Sequence, residues 1–255
     1  VSHVVRGGKA DQEAFARELG AASRHLQWSF AVKHPGETET STRARSIVFF
    51  AFALLAASAV PRNGDSPVEI VVPENGFISL NVPLGPGRLG SLSTKTTHPV
   101  YMSGIQSLWD SLGMSAKLLF PYRGKTKGEL LGECADRGQL SALVGSSVSC
   151  GKYQRHKLTH CGECVPCLVR RAAFLHARMA DTTSGGYARD DLKQSGAKDV
   201  AAAAAACVRF RSKGIHRLIG GALSFATHDE RPTYEGVVTR GMMELEALLA
   251  LHGVL

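Results

Sequence analysis

Four of the chain's six cysteines fall between positions 150 and 167, in the order Cys150-x10-Cys161-Gly-Glu-Cys164-Val-Pro-Cys167. This spacing limits the local fold more tightly than any hydrophobic pattern in the chain. Cys161, Cys164 and Cys167 place three thiolates on one tight loop that runs into a helix. Gly162 relaxes the turn, and Pro166 suits the first helical turn. Cys150 closes a fourth corner from upstream. Four sulfurs in a tetrahedron are what a structural zinc ion takes, because no position is left open for a substrate. The helix start and the nearby Lys and Arg side chains favour thiolate over thiol. A disulfide pair, an iron–sulfur cluster and unrelated buried thiols are the alternatives. No secretion signal supports disulfides, whereas an iron–sulfur cluster stays open on the cysteines alone. Cys134 and Cys207 read as buried apolar fillers in helical segments. His156, His160 and His176 flank the cluster and read as surface residues.

The chain has 255 residues, 44% of them apolar and 20% charged, which excludes wholesale disorder and collagen-like or coiled-coil architecture. Lys plus Arg number 30 against 22 Asp plus Glu, giving a formal charge of +8. The excess is spread out, so no basic arm is expected; it suits a polyphosphate nucleotide, an RNA or an acidic partner protein. The most apolar stretch, Ile47 to Ala57, is about half of the ~20 residues a spanning helix needs. No membrane association and a cytoplasmic setting are therefore expected. The chain opens on Val1 rather than Met, so the expectation is either a removed N-terminal part or a fragment of a longer reading frame.

Strand and helix signals alternate through the first 137 residues. Val1–Val5 reads as a short strand, and Asp11 as the cap of a helix reaching about Ala22, with Phe15 and Leu19 on one face. Leu26–Val32 reads as a strand. Thr42 to about Val60 is apolar all round and is expected to be a helix buried on most sides. Val68–Val72 is a near-continuous β-branched run, the mark of a central parallel strand. A long Gly/Pro/Ser/Thr-rich loop follows. Tyr101–Leu112 reads as a helix, Ala116–Phe120 as a strand, and Thr126 opens a capping box ahead of Leu130. The expected fold is α/β, a parallel sheet flanked by helices. After the cysteines, a helix over about Pro166–Ala180, an alanine-rich helix near 201–206 with Asp199 as its cap, and a last helix at Met242–Leu251 form a helical tail.

Ser149-Cys150, CGECVPCLVRRAAF, Asp181-Thr182 and Tyr187 together resemble the C-terminal signature of 7-cyano-7-deazaguanine synthases, the PP-loop ATP pyrophosphatases of the queuosine pathway. ETSTRARSIVFFAFALLAA, VVPENGFISLNVPL and GSLSTKTTHP resemble the divergent branch found in bacterial antiphage operons. The likeness covers roughly residues 1–190. It implies three parts: residues 1–148 as a PP-loop-type α/β domain, 149–190 as a four-cysteine zinc subdomain and 191–255 as a helical extension. It also implies ATP with Mg2+, a 7-deazaguanine carboxylate that is adenylated and then converted to an amide or nitrile or conjugated to another amine, and a protein or RNA partner from the same operon. The family's Ser-Gly-Gly-x-Asp-Ser phosphate loop does not occur in the sequence. Its first strand, loop and first helix are therefore expected upstream, and this piece alone is expected to be inactive. A zinc-bearing binding module for RNA or a partner protein is the reading that stands if ATP binding is lost.

Adenylation gathers phosphate charge beside a carboxylate and needs Arg and Lys donors. Arg43, Arg45 and Ser46 open an apolar helix near its positive end. Glu74 and Asn75 follow the strand at Val68–Val72, where ligands gather in parallel sheets; Glu74 suits magnesium or the N–H edge of a guanine-like base. Ser93 and Thr94 belong to a donor-rich run from Ser91 to His98. Lys125 and Lys127 begin a helix where the family carries a Lys. Ser2 and His3, at the Val1–Val5 strand that resembles the family's second strand, are weaker candidates for adenine or substrate contact.

Overall fold

The computed structural model describes residues 2–3, 9–28, 36, 45–61, 64–85 and 96–255. It divides into two compact units. The first takes in residues up to Pro73 and then Ser91–Pro121; the second takes in Glu74–Gly90 and Tyr122–Leu255.

The first unit contains two parallel strand pairs among the described residues. β1 (Ser2–His3) pairs with β2 (Gln27–Trp28), and β3 (Val68–Val71) pairs with β4 (Ala116–Leu119), Val68 opposite Ala116. Parallel pairing forces a crossover, and α4 (Pro99–Ser111) supplies it between β3 and β4. Met102, Ile105 and Trp109 of α4 recur at helical spacing and pack with Phe50, Val72, Ala116 and Leu118 in one apolar cluster. Buried His98 caps α4, its Nδ1 accepting from the Val100 N–H at 3.4 Å, and Pro99 occupies the first turn. α1 (Lys9–Glu18) ends before Leu19, which is exposed, and Asp11 lies inside its first turn rather than at the cap.

Two expectations change here. Helix α2 (Arg45–Ser58) is not buried on most sides: Ser46, Phe50 and Ala57 are buried, but Ile47 and Leu55 are exposed. Apolar composition sets no face when every face is apolar. Strand β3 alternates, with Val68 and Ile70 half-buried and Glu69 and Val71 exposed, and β4 is its partner among the described residues. The β-branched run therefore forms a parallel strand without the two covered faces of a central one.

The second unit is helical. α7 (Val165–His176) packs on α5 (Lys127–Gly132) and on α9 (Arg231–Leu251); α9 also packs on α8 (Lys198–Ile219) and on α3 (Gly76–Leu80). Leu168, Ala203, Cys207, Val237, Val238, Met242 and Leu249 are sealed at the centre of this core. Full burial of one such aliphatic side chain contributes about 1.5–3 kcal/mol. α5 carries the expected capping box, with Thr126 Oγ1 accepting from Glu129 N–H and the Glu129 carboxylate accepting from Thr126 N–H. α6 (Arg137–Leu143) is capped by Asp136. The alanine run lies in α8, which breaks at Gly214 (φ 73°); Asp199 sits in its first turn. The last helix is much longer than Met242–Leu251. The loop after β3 is not structureless, because α3 interrupts it. Cys207 is buried as expected, but Cys134 is half-buried and lies between α5 and α6 rather than in a helix. Among the described residues, no helix is long and apolar enough to cross a membrane.

Candidate metal centre and substrate site

The sulfurs of Cys150, Cys161, Cys164 and Cys167 lie within 4.8 Å of one another, and all four residues are buried. Cys161 and Cys167 Sγ are 3.9 Å apart, as are Cys150 and Cys164 Sγ. A tetrahedron of sulfurs ~2.3 Å from a zinc ion has edges of about 3.8 Å, so the set fits such a metal. The separations far exceed a disulfide bond of about 2.0 Å, and all six cysteines are free.

The backbone is organised around these sulfurs. The N–H groups of Lys152 and Cys161 point at Cys150 Sγ at 3.3 and 3.4 Å, and Cys164 N–H points at Cys161 Sγ at 3.3 Å. Donors aimed at sulfur favour thiolate. Cys164 is the N-cap of α7, and Pro166 lies in its first turn. Hydrogen bonding from Cys167 draws the Cys164 thiol down to about 5, whereas burial pushes Cys161 up to about 11. Four thiols this close cannot all ionise alone; a dication held among them would supply the missing charge.

Gly162 makes the tight loop possible. Its φ is 86°, and a Cβ there would lie 2.0 Å from the Arg189 carbonyl oxygen. That contact exists because residues 187–189 run along the loop: Ala188 N–H donates to His160 O at 2.8 Å and Arg189 N–H to Cys161 O at 3.1 Å.

Two buried arginines on α7 tie the centre to its surroundings. Arg170 Nε donates to Thr183 Oγ1 at 2.7 Å, and its other nitrogens donate to Ser147 O and Oγ and to Val144 O. The Asp181 carboxylate accepts from the Thr183 and Tyr187 hydroxyls. Arg171 lies over the Tyr187 ring at 4.8 Å and donates to Asp190 and to His252 Nε2 at 3.0 Å. His160 is not a surface residue: it is 2% exposed, packs edge-on against Tyr153 and Tyr187, and accepts from Ser149 N–H through Nε2 at 3.1 Å. Burial, then the Arg170 charge, lowers its pKa to about 4, so it is neutral. His176 is half-exposed, as expected, while His156 is partly covered.

The other expected site residues separate into two groups. Glu74, Asn75, Lys125 and Lys127 share the second unit with the cysteines; Arg45 and Ser46 belong to the first. Arg43, Ser93 and Thr94 lie outside the described residues, as does the side chain of Arg45. Ser46 is buried and donates to Tyr101 Oη at 3.2 Å. Asn75 is the N-cap of α3, accepting from Ile78 N–H at 3.1 Å, and its amide reaches Glu74 Oε1 at 3.5 Å. Its side chain is therefore engaged in capping this helix. Lys125 is paired with Glu133 at 2.7 Å. Lys127 reaches Ser149 Oγ at 3.5 Å, beside Cys150. Burial raises the Glu74 carboxyl and lowers the Lys127 amine, and each charge steadies the other. The sequence reading missed Glu244, a buried carboxylate on α9 that accepts from the Thr126 hydroxyl. A single Glu in a helix gave no signal of a contact so far along the chain.

Fold and centre together define a helix-rich α/β protein with a small parallel sheet and a buried four-cysteine cluster able to hold a metal ion. Over 203 residues, 66% of this chain, the sequence is 29% identical to 7-cyano-7-deazaguanine synthase 1 of Sphingopyxis alaskensis, covering 89% of that protein. This similarity supports the synthase-like resemblance read from the cysteine signature. No family model matches the chain, and no solved structure matches it.

Proposed function

We propose that the protein is an ATP-dependent synthase of the 7-cyano-7-deazaguanine type, of the antiphage-operon branch. It adenylates a 7-deazaguanine carboxylate with release of pyrophosphate, and ammonia or another amine then displaces AMP to give an amide or a conjugate; the nitrile requires a second ATP to activate the amide for loss of water. The observation that carries this reading is the similarity to such a synthase over 89% of that synthase's length, with Lys127 reaching Ser149 Oγ beside Cys150 at 3.5 Å and the segment that follows Glu74 bonded to the start of α5 through Gly76 N–H and Lys125 O. Lys127 is suited to neutralise phosphate or carboxylate oxygens. Glu74 is suited to accept from adjacent N–H donors of a guanine-like ring or to bind Mg2+. Arg43, Arg45, Ser46, Ser93 and Thr94 are the further ATP or substrate contacts, and Lys125 is a peripheral one. Cys150, Cys161, Cys164 and Cys167 hold a structural zinc that fastens the loop leading into α7. Residues 1–148 form the nucleotide domain, 149–190 the zinc subdomain and 191–255 the helical extension. A thiolate-bound metal suits the reducing cytoplasm.

ATP–pyrophosphate exchange with 7-carboxy-7-deazaguanine, on the protein as its gene encodes it, tests the reading. Exchange that depends on the deazaguanine supports it. No exchange, with zinc fully loaded, overturns it.

A further inference from the structure

α9 presents one face to the two segments that carry the candidate site. Thr233, Val237, Arg240, Gly241 and Glu244 recur at helical spacing along that face. Gly241 admits the Phe77 ring, since a Cβ there would lie 2.3 Å from it, and a Cβ on Gly76 would lie 3.2 Å from Val237. These contacts seat α3, immediately after Glu74. Further along, Arg240 Nε donates to Glu129 Oε1 at 2.5 Å and its Nη2 to Gly124 O at 2.7 Å. Glu244, 5% exposed, accepts from the Thr126 hydroxyl. These contacts seat the start of α5, on either side of Lys127. The two segments also meet directly, Gly76 N–H donating to Lys125 O at 3.0 Å.

We infer that Glu244, with Arg240 beside it, is a positioning residue that fixes Lys127 for substrate through Thr126 and the first turn of α5. A carboxylate is costly to bury, and a leucine here would fill similar space without accepting from Thr126. The inference rests on the substrate role proposed for Lys127, and it gives α9, in the tail beyond the region of family likeness, a part in the site.

The test compares amine labelling of Lys127 with that of Lys125, by mass spectrometry at one fixed pH, in the full chain and in Glu244→Leu, Glu244→Gln and Arg240→Ala. Melting temperature and zinc content are followed alongside. The Lys127/Lys125 labelling ratio is expected to change about threefold or more in Glu244→Leu, the scale of one lost hydrogen bond, and to return with Gln, whose carbonyl still accepts from Thr126. Arg240→Ala shifts the ratio the same way by a smaller factor. If Glu244→Leu does not fold, Arg240→Ala against wild type decides, because that side chain is 43% exposed. A lower melting temperature with an unchanged ratio overturns the inference and leaves Glu244 a stability residue. Absence of pyrophosphate exchange in the wild type instead sinks the functional reading and leaves the labelling result standing.

Discussion

Arg170 Nε donates to Thr183 Oγ1 at 2.7 Å, while Thr183 in turn donates to Asp181 at 2.5 Å, so a buried guanidinium and a carboxylate are joined through one hydroxyl. The rest of the guanidinium is spent on Ser147 and Val144 and lies over the Phe174 ring at 5.1 Å. Arg170→Met leaves those acceptors buried without a donor. The expected loss is about 3 kcal/mol or more, read as a lower urea midpoint. Arg170→Lys recovers only part of it, because one ammonium cannot reproduce the planar fork. A loss below about 1 kcal/mol would show that water replaces the arginine.

Cys164→Ser removes one soft ligand while leaving a good N-cap residue at the start of α7, where Cys164 itself makes no side-chain capping bond. Zinc per chain and melting temperature are expected to fall together, the latter by roughly 5 °C or more for a change of about 2 kcal/mol in a chain this long. Unchanged metal by elemental analysis contradicts a tetrathiolate zinc centre; iron in its place identifies a cluster.

Gly162→Ala meets both obstacles at once, a left-handed backbone and a carbonyl oxygen 2.0 Å from the new methyl. The loop must move away from residues 187–189. A loss of about 2 kcal/mol or more and faster zinc release to a chelator are expected, whereas Gly186→Ala, with nothing within 4 Å, pays only the backbone strain.

Burial works against the ionised Glu129, but the Thr126 N–H and Arg240 outweigh it and hold its pKa below the ordinary 4.5. A depressed folded-state pKa adds stability above the unfolded value and loses it as pH falls through the folded one. The stability gap between wild type and Glu129→Gln is thus expected to be wide at about pH 7 and to close below about pH 4. Urea titrations at both pH values measure it; a constant gap refutes the linkage.

Glu244 has the opposite sign. Burial, only partly offset by the Thr126 hydroxyl and His176, raises its pKa. Its contribution is full below the unfolded value and is lost as pH rises through the folded one. Glu244→Gln is expected to gain on wild type as pH rises from about 4 to about 7, as measured by thermal melts; a gap that moves the other way sinks this assignment.

Local chemistry was enough to place the metal loop, because Cys161, Cys164, Cys167 and Pro166 act within one turn and meet each other wherever the rest of the chain goes. The same holds for the Thr126 capping box and for the pairing-prone run at Val68. Which face of α2 is covered, that His160 is sealed between two tyrosines, and that Glu244 meets Thr126 were decided only by tertiary packing. Each depends on partners far away in the chain, and neither apolar periodicity nor a lone polar residue encodes who those partners are. The cysteine spacing by itself points to a cluster able to hold a metal; that α9 meets the start of α5 is a consequence of how three helices close on one core.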